Sequence, residues 1–128
     1  NISMNNFPKR PTKREIDKRL KEARVALEER KGFFANPSKV VGELFELELE
    51  KTEALWIVLL DLLKEIELSD YSGASPPLKS YEPKIANCEL YAFTWESSLL
   101  KKTMYLKFAI KNDCFYYVSL HQSRPKTR

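Results

Sequence analysis

One histidine, two cysteines and three glycines are all that this 128-residue chain has of several residue types that commonly build sites in small proteins. Cys88 and Cys114 are far apart, and neither has ligand spacing with His121, so no zinc set and no other metal is expected. Two cysteines are also too few for a disulfide framework, and a reducing cytoplasm is the expected setting. Gly32, Gly42 and Gly73 are scattered, which removes the glycine-rich loop that cradles nucleotide phosphates, and no cofactor is expected. Long apolar runs are missing too. Ala54–Leu63 is apolar-rich but far too short to span a bilayer, and Asp61 interrupts it. The first residues lack the apolar stretch of a secretory signal, so no membrane partner is expected.

Charge, by contrast, is abundant and uneven. Lys and Arg number 22 against 18 Asp and Glu, for a net charge of +4. Ten of the basic residues fall within 9–31, Glu43–Glu67 is acidic, and the tail after His121 is basic. Such polarity suits an anionic partner at one pole, RNA or an acidic protein; a solvated surface of mixed charge has the same composition. The length fits a single domain over 1–128 with one modest core. Residues 1–11, with two prolines, read as a flexible N-terminal segment, and 122–128 as a basic tail.

Helix signals fill the first half. Thr12 and Glu15 form a capping box, and Ile16, Leu20, Ala23 and Leu27 recur at helical spacing until Gly32, a plausible end cap. This narrow apolar stripe fits a peripheral packing helix; its charged remainder leaves room for a binding helix. Asn36-Pro37 opens a second helix with Val40, Val41, Leu44 and Phe45 as its buried side. Thr52-Glu53 opens a third. Leu55, Val58, Leu59, Leu62, Leu63 and Ile66 give it a broad apolar face, widened by Trp56 and Ile57, that should lie against a sheet.

Leu68–Lys84, broken by Pro76, Pro77 and Pro83, is expected to be a long loop, of the kind that is often functional in a compact domain. Strand signals follow over 89–96, 101–110 and 114–121. Tyr91, Phe93 and Trp95 alternate with Leu90, Ala92 and Thr94, and Met104, Leu106, Phe108 and Ile110 alternate with Tyr105 and Lys107. Lys111-Asn112-Asp113 joins the last two strands. In the final strand the alternation puts Val118 and Leu120 on one face, and Tyr117, Ser119 and His121 on the other. Helices first and strands last predict an α+β fold, with N-terminal helices packed on one face of a C-terminal antiparallel sheet.

The polar face of the last two strands carries the chemistry. Metal-free RNA cleavage uses the substrate's own 2′-hydroxyl as nucleophile. The protein moves protons and stabilises charge on the phosphorane. His121 is the acid–base candidate, because an imidazole exchanges its proton near neutral pH. Lys107 and Arg124 are candidates for the phosphate, and Tyr105 for orienting it or relaying a proton. Tyr117, Lys126 and Lys102 are the expected RNA contacts, Tyr117 by stacking on unpaired bases. The alternatives are a small non-catalytic α+β module that binds RNA or protein through this face, or a structural adaptor using the charged first helix.

Three stretches carry a family resemblance. Ser69-Asp70-Tyr71 after the apolar helix resembles an Asp-Phe-Tyr helix ending. Trp95, the following turn and Met104-Tyr-Leu-Lys107 resemble a Val-Tyr-Leu-Lys strand. Val118-Ser-Leu-His121 resembles a closing Val-Ser-Phe-Lys strand. Together, over roughly residues 33–122, they resemble the RelE-like toxin superfamily, in particular its MqsR branch. The resemblance implies a RelE-like fold and an mRNA interferase of a toxin–antitoxin pair, cutting mRNA free or on the ribosome and neutralised by a cognate antitoxin protein. It assigns Tyr105 to the site and puts His121 where the branch has a basic Lys. Two positions depart from the pattern. Ser72-Gly73 stands near the place of a Lys, and Ala92 near that of a Gln.

Overall fold

The computed structural model describes residues 9–123. Helix α1 (Lys13–Glu28) begins at the capping box read from the sequence. The Thr12 hydroxyl accepts the Glu15 amide at 3.1 Å, and the Glu15 carboxylate accepts the Thr12 amide at 2.9 Å. Its stripe of Ile16, Leu20, Ala23 and Leu27 is buried, with Ala26 added. Arg10, within the segment read as flexible, is fastened: its guanidinium pairs with Glu15 at 2.6 Å and with Glu89 at 2.9 Å.

Beyond α1 come β1 (Gly32–Phe34), α2 (Pro37–Glu46, capped by Asn36) and α3 (Thr52–Glu65), then the meander β2 (Tyr91–Ser97), β3 (Lys102–Lys111) and β4 (Cys114–Gln122). The fold is α+β, helices before the sheet, as the element order indicated. The sheet is mixed, in the order β1-β4-β3-β2, because β1 adds to the antiparallel meander as a parallel edge strand. Three residues are too few to display an alternation, and Gly32, read as a helix end cap, is the first of them. Asn112 and Asp113 turn the β3–β4 hairpin with φ of 52° and 62°, the left-handed pair of a two-residue type I′ turn.

One face of the sheet forms the core with the helices. Tyr91, Phe93, Met104, Leu106, Phe108, Phe115 and Leu120 pack with Leu20, Leu55, Leu59, Leu62 and Leu63. Fully burying one such Leu contributes about 2 kcal/mol. Helix α2 packs less deeply than its apolar pattern indicated. Val40 is buried, but Val41 and Phe45 are 72% and 83% exposed, because four apolar residues at 40, 41, 44 and 45 span more of the helix than its contact with the sheet covers. Ile57, expected to widen the face of α3, is likewise exposed.

The segment between α3 and β2 follows the free edge of β2, where Ser72 N–H donates to the Ala92 carbonyl at 2.9 Å and Leu90 N–H to that of Leu78 at 2.8 Å. This occupies backbone groups that an exposed edge would offer to another chain. The segment also crosses the outer face, where Ile85 packs on Ala35 and Ala109 with Val118 beside them.

Candidate active site at the uncovered end of the sheet

A β-bulge shapes the site. Lys107 pairs with Ser119 and Phe108 with Tyr117, so Val118 is the extra residue of β4. A simple period of two therefore fails across it. Tyr117, expected on the polar face as a base-stacking residue, lies on the core face and is 2% exposed. That burial removes Tyr117 from any RNA-contacting surface. Leu120 shares the core face with it, while His121 keeps the outer face assigned from the sequence.

On that outer face Tyr105 and His121 are direct cross-strand partners. Their rings stack with centroids 5.0 Å apart and planes at 26°. Lys107 is in the next outward row, opposite Ser119, and Thr94 flanks Tyr105 from β2. The patch around Ile85 covers Ala109 and Val118 but includes neither ring. Burial pushes the Tyr105 phenol above its ordinary range, so the hydroxyl stays protonated at neutral pH and acts as a donor. The His121 Nδ1 lies 3.0 Å from the Gln122 carbonyl oxygen. A carbonyl only accepts, so this bond assigns the hydrogen to Nδ1 and leaves Nε2 as the exchangeable nitrogen.

The imidazole also lines a groove of about 650 Å³, between the end of α2 and the end of the sheet, with Glu43, Glu46, Leu47, Lys102, Met104 and Gln122. Lys102 and His121, both singled out from the sequence, thus meet at one groove, with Tyr105 stacked on the imidazole. Arg124 and Lys126 lie outside the described residues.

Two carboxylates of the groove escaped the sequence reading. Glu43 accepts the Tyr117 hydroxyl, the Ser119 hydroxyl at 2.8 Å and the Leu120 amide at 3.1 Å. Burial and the adjoining Glu43 carboxylate push the Tyr117 phenol far up. Glu46 lies three residues on along the same helix. Both sit in a run of acidic residues where nothing in the sequence distinguishes them from their neighbours.

The fold and the site define a small α+β protein that presents its histidine and a tyrosine from adjacent strands beside a groove. Compared with protein-family models, curated proteins and solved structures, the chain has no match. No helix among the described residues is long and apolar enough to cross a membrane.

Proposed function

We propose that this chain is a metal-independent endoribonuclease of the toxin type, which cuts mRNA through the substrate's own 2′-hydroxyl. The observation that supports this reading is the stacked Tyr105–His121 pair at the groove, with Lys102 on the groove lining and Lys107 in the next outward row along β3. His121, fixed through Nδ1, turns Nε2 to proton transfer. Lys102 and Lys107 supply positive charge for the phosphorane, which gains a second formal negative charge as it forms. The protonated Tyr105 hydroxyl donates to a phosphate oxygen and holds it in register. The likeness of the last two strands to the MqsR branch supports the same chemistry, with mRNA as substrate, an antitoxin protein as partner and the cytoplasm as the setting.

The test is incubation of the purified chain with mixed-sequence RNA in the presence of EDTA, with and without ribosomes. The expected products end in 2′,3′-cyclic phosphate and 5′-hydroxyl. His121→Ala is expected to lower the rate by about a hundredfold or more, and Tyr105→Phe by a smaller factor. Undiminished cleavage by both variants would remove the site. Salt-dependent RNA binding without cleavage would identify a binding module instead.

A further inference from the structure

The outer face of the sheet has a second aromatic pair, at the opposite end of β4 from His121. Phe33 of β1 is the partner of Tyr116 of β4, and their rings stack with centroids 5.5 Å apart and planes at 28°. Phe33 is 47% exposed on an edge strand, and Tyr116 is half-buried. Tyr116 is opposite Ala109, and His121 opposite Tyr105, so the two stacked pairs lie about 13 Å apart along the strands. Beside the second pair the segment before β2 forms a ridge, where Ile85 packs on Ala35 and Ala109 with Tyr116 next to them. The ridge is closed on itself. Ser80 N–H donates to the Cys88 carbonyl at 2.9 Å, Asn87 N–H to that of Ser80 at 2.9 Å, and Ile85 N–H to that of Glu82 at 3.0 Å.

Tyr81 stands on this ridge and is 99% exposed. The fold fixes its backbone and uses none of its ring. A tyrosine held in this way offers a flat contact surface at low entropic cost. The charge around it is basic. Lys79 and Lys84 are exposed, and the Lys111 ammonium reaches the ridge, where it donates to the Lys84 carbonyl at 3.0 Å. None of these three lysines has an ion pair among the described residues, while Glu82, the acid of the ridge, is taken by Lys39 at 3.5 Å. A single exposed aromatic needs no explanation. Exposed rings interleaved with unpaired ammonium groups are the combination that stacks bases and follows phosphates.

We propose that the ridge around Tyr81, together with the Phe33–Tyr116 pair, is a stacking surface for single-stranded RNA. Its role as the place where the substrate strand is held outside the groove rests on the endoribonuclease reading. Tyr81 and Phe33 take bases on their faces, and Lys84 and Lys111 neutralise the phosphates between them. A duplex keeps its bases stacked on one another, so this surface selects unpaired strands.

The experiment measures binding by fluorescence anisotropy, using a labelled 2′-O-methyl RNA of about twelve nucleotides, within the usual span of single-strand sites. Such a strand has no free 2′-hydroxyl and is not cut by that route. Tyr81→Ala and Phe33→Ala are each expected to weaken binding about tenfold, and Lys84→Gln to reduce the slope of log affinity against log salt by about 0.7. The same sequence as a duplex should bind without dependence on Tyr81. Urea midpoints should match between wild type and Tyr81→Ala, because the ring is exposed. In cleavage of the corresponding ribo-oligonucleotide, Tyr81→Ala should raise KM about tenfold and leave kcat unchanged. Wild-type affinity in both aromatic variants overturns the proposal. So does a wild type that binds no single strand but forms a dimer that Phe33→Ala abolishes, which would make this face a contact between copies of the chain. Tyr81-dependent binding by a chain that cuts no RNA upholds the surface and overturns the endoribonuclease reading alone.

Discussion

The Glu43 carboxylate accepts the backbone N–H of Leu120 at 3.1 Å, a side chain of α2 completing the edge of β4. The reason lies in the length of β1. Its pairing with β4 runs from Gly32–Phe115 to Phe34–Tyr117 and stops there, and the Ala35 amide adds one bond, to the Tyr117 carbonyl at 2.9 Å. Farther along, this edge of β4 has no neighbouring strand among the described residues. Glu43 takes that place, and adds the hydroxyls of Tyr117 and Ser119 on either side of the bulge. The bulge that turns Tyr117 inward is thus held by the same carboxylate that satisfies its buried hydroxyl.

Removing this acceptor should be costly. Glu43→Ala strands a buried phenol and an edge amide, and is expected to destabilise the fold by about 2–4 kcal/mol, since hydrogen bonds to charged groups contribute about 1.5–3 kcal/mol each and do not add fully. Tyr117→Phe, which removes donor and desolvated hydroxyl together, is expected to cost about 1 kcal/mol. Urea unfolding of the three proteins measures both. Equal midpoints for wild type and Glu43→Ala would show that the contacts add nothing to stability.

Why the sequence led to some of this and not the rest follows from what each pattern can encode. In α1 the stripe Ile16-Leu20-Ala23-Leu27 is one face, and it is the buried face. In β2 and β3 the alternation is uninterrupted, so Tyr91, Phe93 and Trp95, and Met104, Leu106 and Phe108, are inward as read. Counting back from the two-residue hairpin would set Tyr105 opposite Leu120; the bulge adds one residue to β4 and brings His121 opposite Tyr105 instead. A bulge has no composition signal of its own here. It leaves His121 on the outer face where the local alternation put it, but inverts Tyr117. Glu43 is one Glu among many, and its role depends on where a three-residue strand stops, which no local pattern records.

Gly32 is the point where β1 passes the helices. A Cβ there would lie 3.0 Å from both Leu27 Cδ2 and Trp56 Cε3, tighter than ordinary contact. Gly32→Ala forces these side chains to shift by a few tenths of an ångström; Gly32→Val adds two methyl groups to the same space. The expected cost is about 1–3 kcal/mol for the Val variant and less for Ala, as for other overpacked sites. Denaturant midpoints give the order, and near-ultraviolet circular dichroism reports the displaced indole. A Val variant as stable as the wild type would mean that α1 and α3 part freely around β1.

Arg10 gives the fold an acid-sensitive clasp. Its guanidinium bonds hold the Glu15 carboxyl at about 2, with help from the Thr12 amide, and lower that of Glu89 as well. Both carboxyls are therefore more acidic folded than unfolded, where a Glu titrates at about 4.3. The stability they contribute is fully present above the unfolded value and is lost as pH falls from there through about 2, because the unfolded chain then binds more protons than the native one. Solvent screens these groups, so the loss should be modest and should shrink with added salt. Urea midpoints measured from pH 6 to pH 2 are expected to fall more steeply for the wild type than for Glu15→Gln, and the two slopes should converge in about 1 M NaCl, where the Debye length is only about 3 Å. Parallel slopes at low salt would show that Arg10 leaves the native acidity of Glu15 unchanged, and that the N-terminal segment is not tied to the sheet through it.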